Sequence, residues 1–229
     1  MSEAAERPGP SGLAAFDFDG TLTRGDSLIG FLRRVAGTQA VAAALASAYR
    51  LAPAARRDPA FRDTVKALLI QRTLGGQPLD QVQAQAERYG ALVAARVTPA
   101  MRSLLDRHHQ AGHLSIIVSA SLELYLNTAA ELLGVDGVAA TRLEVGDDGR
   151  LTGRLDGPNC RGAEKARRLA QWMQECGVDP AFIPVWAYGN SSGDRELLAL
   201  ARVATRVRRG RPPVGTLPVL APDGGPPPG

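Results

Sequence analysis

Asp17 and Asp19 stand two positions apart in Phe16-Asp17-Phe18-Asp19-Gly20-Thr21-Leu22-Thr23, where an apolar run that begins at Leu13 gives way to polar residues. In an extended chain, side chains two apart point to the same face. The two carboxylates therefore project together near the carboxyl edge of a sheet, where open α/β folds hold their ligands. Two like charges at the end of an apolar strand raise the free energy unless a cation or a shared proton compensates. The chemistry that such a pair serves is metal-assisted or proton-passing.

Three other segments carry matching groups. Ser119 ends the run HLSIIVS. Its hydroxyl and the amides that follow, beginning at Ala120, suit a phosphate oxygen, or alternatively the cap of a helix. In RGAEK, Lys165 falls in the first turns of a helical pattern, and Arg161, four residues earlier, is placed to reach the same oxygens. Of 27 basic residues only Lys66 and Lys165 are lysines. A chain that meets its ordinary need for positive charge with Arg retains Lys where a compact ammonium is wanted, although a solvated helix lysine is the simpler alternative. YGNSSGDREL follows a third apolar run with Asn190 and Asp194, oxygen donors suited to a hard cation, Asp194 being equally able to cap a helix. Asp26 has the same two readings, a ligand contact or the N-cap of a helix beginning near Leu28.

These groups need a scaffold that brings separate strand ends together. Residues 13–18, 113–119 and 183–189 read as buried parallel strands, each followed by small polar residues and a helical pattern. Helical spacing over 99–110, 122–133, 162–175 and 195–201 completes an alternation that predicts an α/β fold, a Rossmann-like doubly wound parallel sheet. Residues 143–155 read as a hairpin about Gly-Asp-Asp-Gly. About ninety residues separate the first strand from the second, far more than a crossover needs. An inserted helical cap over 24–98 is therefore expected, with helices at 28–36, 39–51, 61–74 and 79–97 and the α/β core at 11–23 and 99–209. Residues 1–10 lack periodicity, and the last nineteen hold seven Pro and four Gly, so 1–10 and 210–229 are expected to be disordered.

Taken in order, DFDGTLT, the SAS of residues 119–121, NCRGAEK and the GNSSGD loop resemble the haloacid dehalogenase superfamily of phosphohydrolases, in particular its phosphoserine phosphatase-like subfamily IB, over residues 13–207. That resemblance implies Asp17 as nucleophile, Asp19 as general acid and base, Thr21 and Ser119 as phosphate contacts, Lys165 as the charge clamp, and Asp194 as an acidic residue at a Mg2+ ion. Asp17, Asp19, Asn190 and Asp194 form the implied metal set. Asn190 departs from the family, which usually has Asp there. Asp26 stands where phosphoserine phosphatases carry an acidic residue for the substrate's amino group. The expectation is a Mg2+-dependent phosphomonoester hydrolase working through an aspartyl phosphate on a small phosphorylated metabolite, phosphoserine-like or glycerol-phosphate-like. A lipid-linked phosphatase, for example on phosphatidylglycerophosphate, and a catalytically weak phosphate-binding module are the alternatives, the latter because of Asn190. A dehalogenase fits less well, since that chemistry needs neither the acid Asp19 nor a metal.

Charge and composition narrow the partners. The formal charge of +4 comes entirely from segment 201–229, with five Arg against one Asp, which leaves the body neutral. A neutral body argues against a nucleic-acid-binding face. The Arg-rich stretch 202–211, and the uncharged run 35–49 flanked by Arg33, Arg34 and Arg50, leave open a peripheral membrane contact. That run is short of the roughly 20 apolar residues a span needs. Two cysteines, Cys160 and Cys176, and no export signal lead to the expectation of a cytoplasmic protein with reduced thiols.

Overall fold

The computed structural model describes residues 9–51 and 61–213. β1 (Gly12–Phe16) is buried along its whole length. Its side chains alternate between two cores, Ala14 and Phe16 in one and Leu13 and Ala15 in the other. A strand covered on both faces suits a parallel sheet, whose crossover helices lie over both faces. β1 pairs in parallel with β2 (His113–Leu122) and with β5 (Val185–Gly189). β2 continues in parallel to β3 (Gly137–Val145), β5 to β6 (Val203–Arg206), and β4 (Leu151–Asp156) returns antiparallel on β3. The order is β4-β3-β2-β1-β5-β6. The sheet thus grows away from β1 in both directions, so the crevice of this α/β fold opens at the carboxyl end of β1, and Asp17 is the next residue.

α5 (Pro99–Gln110) and α6 (Glu123–Leu133) supply Met101, Leu104 and Leu126 to the first core. α7 (Ala163–Glu175) and α8 (Arg195–Ala199) supply Leu169, Met173 and Leu197 to the second. α5 starts where the sequence says it should, because Thr98 accepts a hydrogen bond from the Met101 amide ahead of a Pro at the first helical position.

The chain between β1 and β2 holds α1 (Leu28–Ala36), α2 (Thr38–Leu51), α3 (Phe61–Leu74) and α4 (Leu79–Ala94). α4 ends three residues short of its expected limit, in a turn at Ala95–Val97 that leads to the cap of α5. Two helices of this insert pack on the core. α4 lies along α6, so close that a Cβ on Gly90 would sit 2.6 Å from the Tyr125 carbonyl oxygen, and α3 lies against β4. β6 and the first half of β3 have no counterpart among the expected strands. β2 runs past its expected end to Leu122, with a register shift between Ser119 and Leu122 that re-aims the chain where it meets the crevice. The disorder expected for 1–10 and 210–229 falls mostly outside the described residues, but 208–211 form a hydrogen-bonded turn that carries the fold past its expected limit at 209.

Candidate active site

Asp17 leaves β1 with its amide bonded to the Tyr188 carbonyl of β5, which fixes its side chain at the mouth of the crevice. It is 5% exposed. Its Oδ1 accepts a 2.6 Å hydrogen bond from the Lys165 ammonium and its Oδ2 one of 2.9 Å from the Thr21 hydroxyl. Lys165 comes from the first turn of α7, is 2% exposed, and also donates at 2.6 Å to Asp194. Asp194, 1% exposed, has its other oxygen filled by the Ser191 amide and hydroxyl and the Asn190 amide. One buried ammonium thus lies between two buried carboxylates. Burial opposes the charge on Lys165, yet Asp17 and Asp194 hold its pKa above the ordinary lysine value. Burial also opposes charge on Asp194, but the Lys165 ammonium and the Ser191 donors hold that carboxyl below its usual range. On Asp17 burial wins and raises the pKa, against the pull of Lys165.

Asp19 has a different setting. Its Oδ2 accepts from Ser27 at 2.9 Å and from Ser121 at 2.5 Å, and Ser27 shares a further 2.8 Å bond with the Tyr125 hydroxyl. Burial first, and the nearby Asp26 second, push its pKa up to about 7. A carboxyl titrating near neutrality both gives and takes a proton at working pH. Gly20, at φ 76°, turns the chain sharply behind it, and a Cβ there would lie 1.8 Å from the Asn190 amide nitrogen. That nitrogen donates to the Asp19 carbonyl at 3.1 Å.

All the site residues singled out from the sequence, apart from Thr21, line one cavity of about 450 Å3, and Thr21 reaches it through Asp17. Ser119 is buried, and its hydroxyl accepts from the Ser121 amide. Asp26 lines the cavity, and its carboxylate accepts from the Ile29 amide in the first turn of α1. Arg161 lies along Gly193 at the rim, while Lys165 is the residue in contact with Asp17.

Sequence reasoning missed the Ser27, Ser121 and Tyr125 hydroxyls around Asp19. It flagged Lys66 only as a scarce residue. Lys66, on α3, is buried and donates to the Ala120 carbonyl, to Thr141 at 3.0 Å and to Asn159 at 2.5 Å. Asn159 in turn donates to Asp63 of α3 at 2.6 Å. Both lysines of this chain therefore sit in the cavity wall, one from the core and one from the insert.

Asp19 Oδ1 is buried and has no hydrogen-bond partner among the described residues. An orphaned carboxylate oxygen beside a second carboxylate is what a hard cation satisfies. Among the described residues no three His, Cys, Asp or Glu side chains cluster as a metal cage. A cation here would rely on Asp17, Asp19 and the amide of Asn190, an oxygen set that suits Mg2+.

A six-stranded α/β sheet with acid, lysine and acid gathered at the carboxyl end of β1 defines a doubly wound α/β protein with its site in that crevice. A family model for haloacid dehalogenase-like hydrolases matches residues 14–199. The chain belongs to that family of hydrolases. It is 37% identical over 204 residues to Protein CicA of Caulobacter vibrioides, spanning 87% of this chain and 88% of that one. It is 31% identical over 189 residues to phosphoserine phosphatase SerB2 of Mycobacterium tuberculosis, covering 82% of this chain and 42% of that one. A substrate-bound phosphoserine phosphatase has the same fold, with a TM-score of 0.57 at 21% identity over 85% of this chain and 84% of that one. Among the described residues no helix is long and apolar enough to cross a membrane.

Proposed function

We propose that the protein is a Mg2+-dependent phosphomonoester hydrolase that works through an aspartyl phosphate on a small phosphorylated metabolite. The observation that carries this reading is the pairing of two carboxyls in different settings: Asp17, held by Lys165 and Thr21, and Asp19, which accepts from Ser27 and Ser121 on one oxygen and has no partner among the described residues on the other. Asp17 attacks phosphorus in line, and the bond to the ester oxygen breaks as Asp19 passes its proton to the leaving alkoxide. Asp19, now a carboxylate, takes a proton from the water that attacks the acyl phosphate, which releases inorganic phosphate and restores both groups. Lys165 neutralises charge on the transferring group, and Ser119, Thr21 and the Ala120 amide cradle its oxygens, with Arg161 at the rim. Asp194 holds Lys165 in place and fixes the 190–194 loop, whose Asn190 would help hold the cation. Bound Mg2+ would offset the negative charge that the phosphoryl oxygens bring against Asp17.

The helices of the insert act as a cap, with α2 and α3 forming the outer wall of the cavity. Asp26, just ahead of α1 in the cavity lining, favours a cationic or hydroxyl-bearing leaving group. The test is hydrolysis of an aryl phosphate with Mg2+ and with chelator, joined to trapping of the phosphoenzyme. Turnover should need the metal and vanish in Asp17→Asn. Asp17→Asn protein that still incorporates phosphate covalently would remove Asp17 as nucleophile. Comparing kcat/KM for phosphoserine and glycerol phosphate in the native chain and in Asp26→Ala tests the substrate class. We expect only weak selectivity, and a strong phosphoserine preference lost in the mutant would show that Asp26 reads the amino group.

A further inference from the structure

Beside the catalytic cavity lies a second cleft of about 710 Å3, lined by Arg24, Asn190, Val207, Arg208, Arg209 and Arg211. Asn190 lines both cavities, so the two are neighbours. The four guanidiniums are exposed and have no carboxylate or hydrogen-bond partner among the described residues. Four unpaired like charges around one cleft repel one another and focus a positive potential that favours an anion. Planar guanidiniums match the oxygens of phosphate two at a time.

The turn that presents them is built into the active-site frame. Arg208 and Arg211 exchange backbone hydrogen bonds of 3.1 and 3.0 Å. The two residues between them, Arg209 at φ 49° and Gly210 at φ 68°, both have left-handed backbone, as a tight hairpin turn demands. Arg209 is the single non-glycine residue with positive φ among the described residues, in a position that Asn or Asp occupies with less strain. The Gly210 amide donates at 3.2 Å to the carbonyl of Gly20, in the loop that carries Asp17 and Asp19, and the Thr98 hydroxyl bonds the Gly210 carbonyl. Arg24 comes from the same catalytic loop, just past Thr23. The arginines therefore stand at a fixed offset from the phosphoryl site.

We infer that this cleft binds a second phosphate group, one that is held and not hydrolysed, while the first is presented to Asp17. The inference rests on the phosphatase reading for the role of the first phosphate, but the cleft's own anion binding does not. The second phosphate belongs either to a soluble bisphosphate or to the phosphodiester of an anionic lipid headgroup. Both have the same tetrahedral anionic oxygens.

The experiment uses the full chain carrying Asp17→Asn, so that ligands are bound without turnover, and compares it with the same chain further changed at Arg24→Gln, Arg208→Gln and Arg209→Asn. Asn suits the left-handed position better than Arg, so the turn is kept. Arg24→Gln alone, in a separate loop, serves as the second variant. Calorimetric titration with propane-1,3-diyl bisphosphate and with propyl phosphate should show the bisphosphate binding about tenfold or more tightly, and the Arg changes should reduce that ratio to about twofold or less. Flotation with phosphatidylglycerol vesicles, against phosphatidylcholine vesicles, is the second arm, and Arg-dependent flotation would assign the phosphate to a lipid. Equal binding of both propyl compounds before and after the Arg changes, with no Arg-dependent flotation, overturns the inference. Arg-dependent bisphosphate binding in a chain whose Asp17-bearing form hydrolyses no phosphomonoester would leave this site standing and overturn the phosphatase reading alone.

Discussion

Removing the Lys165 ammonium should do two separable kinds of damage. In the native chain it lies 2.6 Å from each of two carboxylates, with all three groups almost fully buried. Lys165→Met keeps the length of the side chain and leaves Asp17 and Asp194 facing each other without a cation. Breaking a buried ion pair by deleting one partner costs about 3–5 kcal/mol, because the remaining charge keeps its desolvation cost and loses its attraction. For a domain of this size that corresponds to a fall in Tm of roughly 6–20 °C in chelator-treated protein. Adding Asp194→Asn removes one of the two stranded charges and should return part of the loss, a coupling readable in a double-mutant cycle of urea midpoints. Activity behaves differently, since neutralising a carboxylate does not restore a positive charge to the transferring phosphoryl group. The double variant should regain stability and stay inactive. If Lys165→Met melts within about 2 °C of the native chain, a shift worth under about 1 kcal/mol, the ammonium is not the buried counter-ion described here. If it keeps activity within about tenfold, about 1.4 kcal/mol in the barrier, while Arg161→Ala abolishes it, the clamp is Arg161.

Asp19→Asn should cost about 10² or more in kcat on alkyl phosphates and much less on aryl phosphates, which leave without a proton, and equal losses on both would argue against an acid at this position. Asn190→Asp should lower the Mg2+ concentration for half-maximal activity, since it adds a negative charge to the oxygen set, and a rise would show that the side chain serves another purpose. Gly20→Ala should lose about 1–2 kcal/mol by forcing a Cβ into left-handed backbone. It should also raise the Mg2+ requirement by displacing Asn190, and native stability with a native Mg2+ response would contradict the contact. Lys66 has its pKa lowered to about 8, chiefly by burial and against the pull of Asp63, Cys160, Asp26 and Asp19. The folded state therefore holds fewer protons than the unfolded one between about pH 8 and 10.5, and this site makes stability rise with pH across that window. Subtracting the urea-midpoint profile of Lys66→Met from that of the native chain isolates the rise, and a flat difference would mean that the amine titrates normally.

The sequence made legible what acts close to its own place in the chain. Asp17 and Asp19 follow one strand, Lys165 opens one helix, and Asn190 and Asp194 share one loop, so a motif and its spacing were enough to name them. β6 escaped because Val203–Arg206 is four residues with little apolar content, held by pairing with β5 instead of by its own pattern. The groups that surround Asp19 and close the cavity are of another kind. Ser121 meets Asp19 across 102 positions, Ser27 meets Tyr125 across 98, and Lys66 meets Asn159 across 93. Each is an ordinary residue in its own segment, and only the packing of distant segments gives it its partner, the sheet for Ser121 and the docking of the insert on the core for Ser27 and Lys66. The count of lysines reported that something unusual was asked of Lys66, but composition carries no direction and could not say which carbonyl it would meet. The same physics explains why the reaction class was readable and the substrate was not. The phosphoryl site is built from strand ends whose geometry every doubly wound sheet repeats, whereas the outer wall of the cavity is built where α2 and α3 happen to lie over it.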